Sequence, residues 1–390
     1  MHPHTRDFGV RVRSEVTAAF MLALCAASSA PAQVQDRAGS RWTYQTPEAH
    51  FQLEVIASGL TAPAGLSFLP DGRLLVADRP VGRLSVFDPA AGSLTPIDGV
   101  PPVHGKIDGG LMDVLVHPNY AHNGWIYLVY SIEVPGGNTT VVDRARLASN
   151  HLADRERLFA ARPVIANSNE FGSRLVLDRG FLYVTLGQRN LPENAQNLDS
   201  DLGKIIRLRE DGAIPPDNPF VRQKGARPEI WSYGHRNPVG LAIDPVNGAL
   251  WEHEHGPQGG DEINIIRRGL NYGWPIITYG VDYGGKPVGA WLTHHAGMEQ
   301  PVFYYEPDIA PSGMIFYTGK GFPRWRGNIF IGSLTARYLA RLVVEGNHVI
   351  HEERLLRDRS WKIRAVQQSP DGSIYLGVDG GLLARILPIN

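Results

Sequence analysis

One phrase recurs along this chain and leaves few folds open to it: an apolar strand, a turn built from Pro, Asp and Gly, and a second apolar strand. Pro63 to Gly72 leads into Arg73 to Asp78, Gly110 to Pro118 precedes Trp125 to Tyr130, and Ser173 to Gly180 precedes Phe181 to Thr185. Pro238 to Pro245 then precedes Ala249 to Glu252, Ala365 to Gly372 precedes Ser373 to Gly377, and a looser copy runs from Ser312 to Gly332. Each copy is a hairpin signal, with turn residues that tolerate the required backbone angles between strands of aliphatic and aromatic residues. A single hairpin cannot bury its own face. Six of them at intervals of tens of residues predict radial repetition, an all-β six-bladed β-propeller, in preference to a two-sheet sandwich. The longer gaps after the second, third and fourth copies are then loops on one rim, where sites are usually built.

Lys+Arg 38 against Asp+Glu 39 gives a formal net charge of −1, which argues against a nucleic-acid binder working through a basic face. The N-terminus carries Arg6, Arg11 and Arg13, an apolar run from Val16 to Ala27 and the small-residue site Ala30-Pro31-Ala32, the pattern of a secretory signal peptide over residues 1–32. That run is too short to span a membrane, and no later segment approaches the roughly 20 apolar residues a spanning helix needs. The single Cys, Cys25, lies inside the run, with Leu24 before it where a lipidation signal wants a small residue. Residues 33–390 therefore read as one exported propeller domain, secreted or periplasmic, in which neither disulfides nor Cys-bound metals take part.

The densest chemistry lies between Pro228 and Pro275. Arg236 offers a planar fork of donors suited to an anion, and Asn237 beside it supplies both a donor and an acceptor. The Gly256-Pro257 turn can leave backbone carbonyls facing a cleft, the oxygen ligation that Ca²⁺ accepts, and Asp261, Glu262 and Asp282 add carboxylates nearby. His253 and His255 share one face of a strand and could be half of a metal site, but no third ligand accompanies them, so they read as hydrogen-bonded structural residues.

Several phrases in one order carry a resemblance: Gly-Gly-Leu-Met-Asp-Val at 109–114, Phe-Gly-Ser-Arg-Leu at 171–175, Leu-Gly-Lys-Ile-Ile-Arg-Leu at 202–208 and Pro-Pro-Asp-Asn-Pro-Phe at 215–220. Gly-His-Arg-Asn-Pro at 234–238, Glu-His-Gly-Pro-x-Gly-Gly-Asp-Glu at 254–262 and Asn-Tyr-Gly-Trp-Pro at 271–275 continue it. From about Phe51 to the C-terminus the chain resembles the soluble aldose sugar dehydrogenases that depend on pyrroloquinoline quinone (PQQ), the glucose/sorbosone dehydrogenase family. The resemblance implies a six-bladed propeller that oxidises an aldose at its anomeric carbon to the lactone. Hydride passes to PQQ held by Ca²⁺, and an external electron acceptor reoxidises the cofactor.

Carried over residue by residue, the resemblance implies PQQ contacts at Asp108, Arg236, Asn237, Thr335, Arg337, Lys362 and Arg364. It implies PQQ-bound Ca²⁺ on the carbonyls of Gly256 and Pro257, and a second, structural Ca²⁺ at Glu262, Tyr272 and Asp282. The sequence departs from the family pattern at four places. Glu170 stands where the family has its catalytic His, Asp108 where it has Gln or Glu, Thr335 where it has Lys, with Arg337 two residues on, and Lys362 where it has Arg. A carboxylate can accept the sugar hydroxyl proton, so Glu170 is the expected base, with Arg236 and Asn237 polarising the quinone. The substitutions also leave open a carbohydrate-binding propeller without redox chemistry and a Ca²⁺-dependent lactone hydrolase.

Overall fold

A computed structural model describes residues 36–389; the expected leader, with Cys25, lies outside the described residues. Among them no helix is long and apolar enough to cross a membrane, and the strands form six sheets, each with antiparallel neighbours. Five blades of four strands follow one another along the chain at residues 63–96, 111–160, 172–233, 238–305 and 311–355. The sixth joins Ile363–Gln368, Ile374–Val378 and Leu382–Pro388 to the N-terminal strands His50–Ala57 and Arg41–Gln45, so the two ends of the chain close the ring in one sheet. Every copy of the repeated phrase becomes the two inner strands of one blade, which is the expected propeller.

The inner strands are apolar throughout for a physical reason. Leu74–Asp78 is buried at all five positions because both of its faces meet neighbouring blades, whereas the outer Ser93–Pro96 is mostly exposed and reads polar. The cores lie between blades: Tyr127, Val129 and Val142 of the second pack against Leu182, Val184 and Ile206 of the third.

The first strands of all six blades surround a central channel of about 230 Å³. They approach closely enough that a Cβ on Gly65 would stand 2.8 Å from the Asp113 backbone of the next blade. Arg174 plugs the channel. Its guanidinium donates to the carbonyls of Val239 (2.8 Å), Ala64 (2.5 Å) and Arg364 (3.2 Å) and lies 3.7 Å from the Asp113 carboxylate, tying blade three to four others. Burial pushes Asp113 up to about 6 against the opposing pull of the Arg174 charge. Arg174→Met should therefore leave three carbonyls without this donor and the buried Asp113 carboxylate, which keeps the N–H groups of Val114 and Leu175, without its counter-charge. A loss of about 3–5 kcal/mol is expected, read as a lower urea midpoint at unchanged slope.

Candidate active site

The motif-bearing loops meet over one end of that channel. A well of about 560 Å³ is lined by Asp108, Glu170, Arg236, Asn237, Gly256, Pro257 and Thr335, together with Asn190, Asp261, Tyr283 and Asp308. A deeper chamber of about 140 Å³ shares Asp108, Asn237 and His255 with the well and adds Arg79, Arg174 and Arg364, so Arg174 separates it from the channel.

Arg236 and Asn237 lie in the link from the third blade to the fourth and are fixed from both sides. The Arg236 carbonyl accepts from Gln188 N at 2.8 Å, its N–H donates to Glu254, and Asn237 Oδ1 accepts from Gly172 N at 3.0 Å. The Gly256–Gly260 loop is organised by Asp261, whose Oδ1 accepts Gly256 N (2.9 Å) and whose Oδ2 accepts Ile309 N (2.7 Å) and Ala310 N (2.8 Å). A Cβ on Gly256 would stand 2.2 Å from the Gly259 carbonyl oxygen, so only glycine allows this tight turn. His253 and His255 bond the carbonyls of Ser312 and Pro311, in keeping with a structural role.

Glu170 is held differently from a free base. Its Oε1 pairs with Arg236 Nη2 at 2.6 Å, and its Oε2 accepts from Gln188 Nε2 and from Asn190 N at 3.1 Å. The other Arg236 nitrogens are Nη1, donating to the His255 carbonyl at 3.1 Å, and Nε, buried without a partner. In the chamber Arg364 makes a bidentate pair with Asp379 (2.5 and 2.6 Å). Burial first, and then the Arg364 charge, bring Arg79 down to about 10.

Not every expected contact assembles. Lys362 precedes the strand Ile363–Gln368 and is exposed at the rim, and Arg337 is also exposed; neither lines the well, whereas Thr335 does. Asp282 is exposed, with Oδ1 capping Tyr283 N in a rim turn, and it does not line the small cavity that Glu262 and Tyr272 share. The sequence reading also missed Gln188, Asn190 and Arg79. Arg79 directly follows the second inner strand of its blade, and Gln188 and Asn190 come two and four residues past the end of theirs, a position that could have flagged them.

Behind Arg236 lies a second cluster. Glu252 and Glu254 alternate along one strand and face Asn264 and Glu262 across the next. Ligand atoms of His235, Glu252 and Glu254 fall within 4.8 Å of one another. Glu252 Oε1 and Asn264 Oδ1 are buried without a hydrogen-bond partner. Burial first, and then the Glu254 charge, push Glu252 and Glu262 well above the usual carboxyl range. His235 is engaged by Ser232 Oγ (2.9 Å) and Glu254 (3.3 Å), which leaves an oxygen-rich set suited to a hard cation such as Ca²⁺ rather than to Zn²⁺. The adjoining cavity of about 10 Å³ has room for about one water-sized occupant. Glu254 also accepts the Arg236 N–H, so this cluster and the well share a strut.

Comparison with known proteins places this geometry. The glucose/sorbosone dehydrogenase family model matches residues 60–385. The chain is 42% identical over 349 residues to the aldose sugar dehydrogenase YliI of Escherichia coli (strain K12), covering 88% of this chain and 94% of that protein. The crystal structure of the soluble aldose sugar dehydrogenase from Escherichia coli in the apo-form superposes with a TM-score of 0.84 at 42% identity, covering 86% of this chain and 99% of the other. The PQQ-bound aldose sugar dehydrogenase of Streptomyces coelicolor superposes with a TM-score of 0.70 at 25% identity, covering 90% and 99%.

Proposed function

The chain belongs to the glucose/sorbosone dehydrogenase family, and on that premise we propose that it oxidises an aldose at the anomeric carbon to the lactone, using PQQ and Ca²⁺. One observation carries the reading: Asp108, Glu170, Arg236, Asn237, Gly256 and Pro257, far apart in sequence, line a single well.

The residues fit such a cofactor. A polycarboxylate needs cations, and Arg79 and Arg364 line the deeper chamber, with Arg79 Nε and Arg236 Nε buried and unpartnered. A hard cation needs oxygens, and the Gly256-Pro257 turn lines the well together with Asp261 and Asp308. Arg236, Asn237, Arg79 and Arg364 would hold the cofactor, and the Gly256 and Pro257 carbonyls its Ca²⁺. When bound, PQQ supplies two-electron acceptance at its quinone ring, with the Ca²⁺ acting as a Lewis acid.

The protein's own tasks follow. Arg236, in the wall of the well and fixed through its backbone, would supply positive charge to stabilise negative charge developing on the acceptor. A carboxylate of the well takes the proton from the anomeric hydroxyl. Mixing protein, PQQ, Ca²⁺, an aldose and an artificial dye is expected to give dye reduction and lactone. Lactone hydrolysis without any acceptor, or saccharide binding indifferent to PQQ, would argue against this reading.

A further inference from the structure

We propose that the proton acceptor is Asp108, and that Glu170 is a positioning residue that holds Arg236; this rests on the aldose-oxidising reading above. A base must present an oxygen with a free lone pair to the substrate. Four carboxylates line the well: Asp108, Glu170, Asp261 and Asp308. Asp261 is consumed by three backbone N–H groups. Glu170 is consumed by Arg236, Gln188 and Asn190, and its side chain is 11% exposed. Asp308 also keeps one oxygen free, but its Oδ1 accepts Gly259 N at 3.3 Å and, unlike Asp108, it does not line the deeper chamber.

Asp108 stands apart from these three. Its Oδ2 accepts Glu170 N at 3.0 Å, its Oδ1 has no hydrogen bond, and the nearest cation, Arg79, is 3.9 Å away. Its side chain is 43% exposed, and it lines both the well and the chamber. Its backbone is fixed on both sides, with N donating to the Ser168 carbonyl at 3.1 Å and O accepting from Arg79 Nη1 at 3.2 Å. The backbone is left-handed both at Ile107, the residue before Asp108 (φ +51°), and at Glu170 itself (φ +52°), so the choice between the two carboxylates rests on their side-chain partners.

The proposed step balances. The anomeric C–H bond breaks and its hydrogen leaves with the electron pair to the quinone-class acceptor. The O–H bond on the same carbon breaks, its electrons form the second C–O bond of the lactone, and the proton goes to Asp108 Oδ1. Arg236 stays held by Glu170 and by the His255 carbonyl while the proton moves.

Two measurements on the full-length protein decide the assignment. The first needs no cofactor: carbodiimide and an amine, with mass-spectrometric readout, should label Asp108 at least tenfold faster than Glu170, and Arg236→Gln should accelerate labelling of Glu170. Equal labelling of the two carboxylates in the wild type would overturn the proposal. In the second, Asp108→Asn, which preserves the acceptor for Glu170 N, should lower kcat by about 10²–10⁴ with KM and PQQ uptake near wild type. Asp108→Glu should recover part of that loss, while Glu170→Gln should weaken PQQ uptake more than it lowers kcat. The reverse pattern overturns the proposal. A wild type that folds but never turns over would count against aldose oxidation itself, and the labelling experiment would then decide the carboxylate assignment alone.

Discussion

Arg236→Met is expected to destabilise the protein by about 3–5 kcal/mol and to abolish PQQ uptake at micromolar concentration. The stability loss follows from what remains behind: Glu170, 11% exposed, keeps Gln188 and Asn190 but loses the guanidinium that neutralises it, and the His255 carbonyl loses its donor. Removing one partner of a buried pair in this way typically has that cost. The cofactor loss follows from the position of Arg236 in the wall of the well. A second substitution separates the two effects. Adding Glu170→Gln replaces the stranded charge with a neutral amide, so the double variant should regain most of the stability without regaining cofactor uptake. Urea denaturation and an absorbance titration read the two quantities independently. A double variant as unstable as the single one would show that the Glu170–Arg236 pair is not the source of the loss.

Stripping Ca²⁺ with a chelator is expected to lower stability by a few kcal/mol, about 2.7 kcal/mol if the cation is normally present at 100 times its dissociation constant. The effect should grow with pH. In the folded chain Glu252 and Glu262 are pushed above the usual range by burial and by Glu254. Without a cation the folded state therefore holds protons that the unfolded chain releases above a pKa of about 4.3, and its stability falls as pH rises from there towards the raised values. A bound cation replaces those protons and removes that decline. The difference in melting temperature with and without Ca²⁺ should thus be small near pH 5 and large near pH 8, and Glu252→Gln should shrink it. A difference independent of pH would assign the calcium effect to some other place. Because Glu254 bonds both His235 and the Arg236 N–H, the chelated protein should also bind PQQ more weakly.

The fold was legible in the sequence because the hairpin phrase encodes its own burial. Leu74–Asp78 and its counterparts are apolar along their whole length since both faces meet other blades, and turn residues mark where each hairpin reverses. The well was legible in outline, because Arg236, Asn237, Gly256 and Pro257 sit in motifs whose local geometry follows from residue type. What the sequence concealed were relations between distant residues. Nothing local says that Glu170 would meet Arg236, because that pair depends on how the third blade abuts the loop leading to the fourth. The four-residue cluster of Glu252, Glu254, Glu262 and Asn264 needs the register of two strands before it can be seen. Arg79, Gln188, His255 and Asp379 obey a rule that only the assembled ring reveals. Residues just after the second inner strand of a blade emerge beside the mouth of the channel, either lining the site or, like Asp379 and Gln188, holding a residue that does. Lys362 and Arg337, exposed and outside the lining of the well, show that a motif position does not by itself fix where its side chain lies.

An equilibrium titration of the full-length protein with PQQ in the presence of Ca²⁺ asks whether this well is a redox site for a quinone cofactor. Saturable uptake of one PQQ per chain is expected, seen as a shift in cofactor absorbance, followed by loss of the oxidised band and release of lactone when an aldose is added. Absence of uptake at micromolar PQQ, in a protein that is folded and calcium-loaded, would contradict that role.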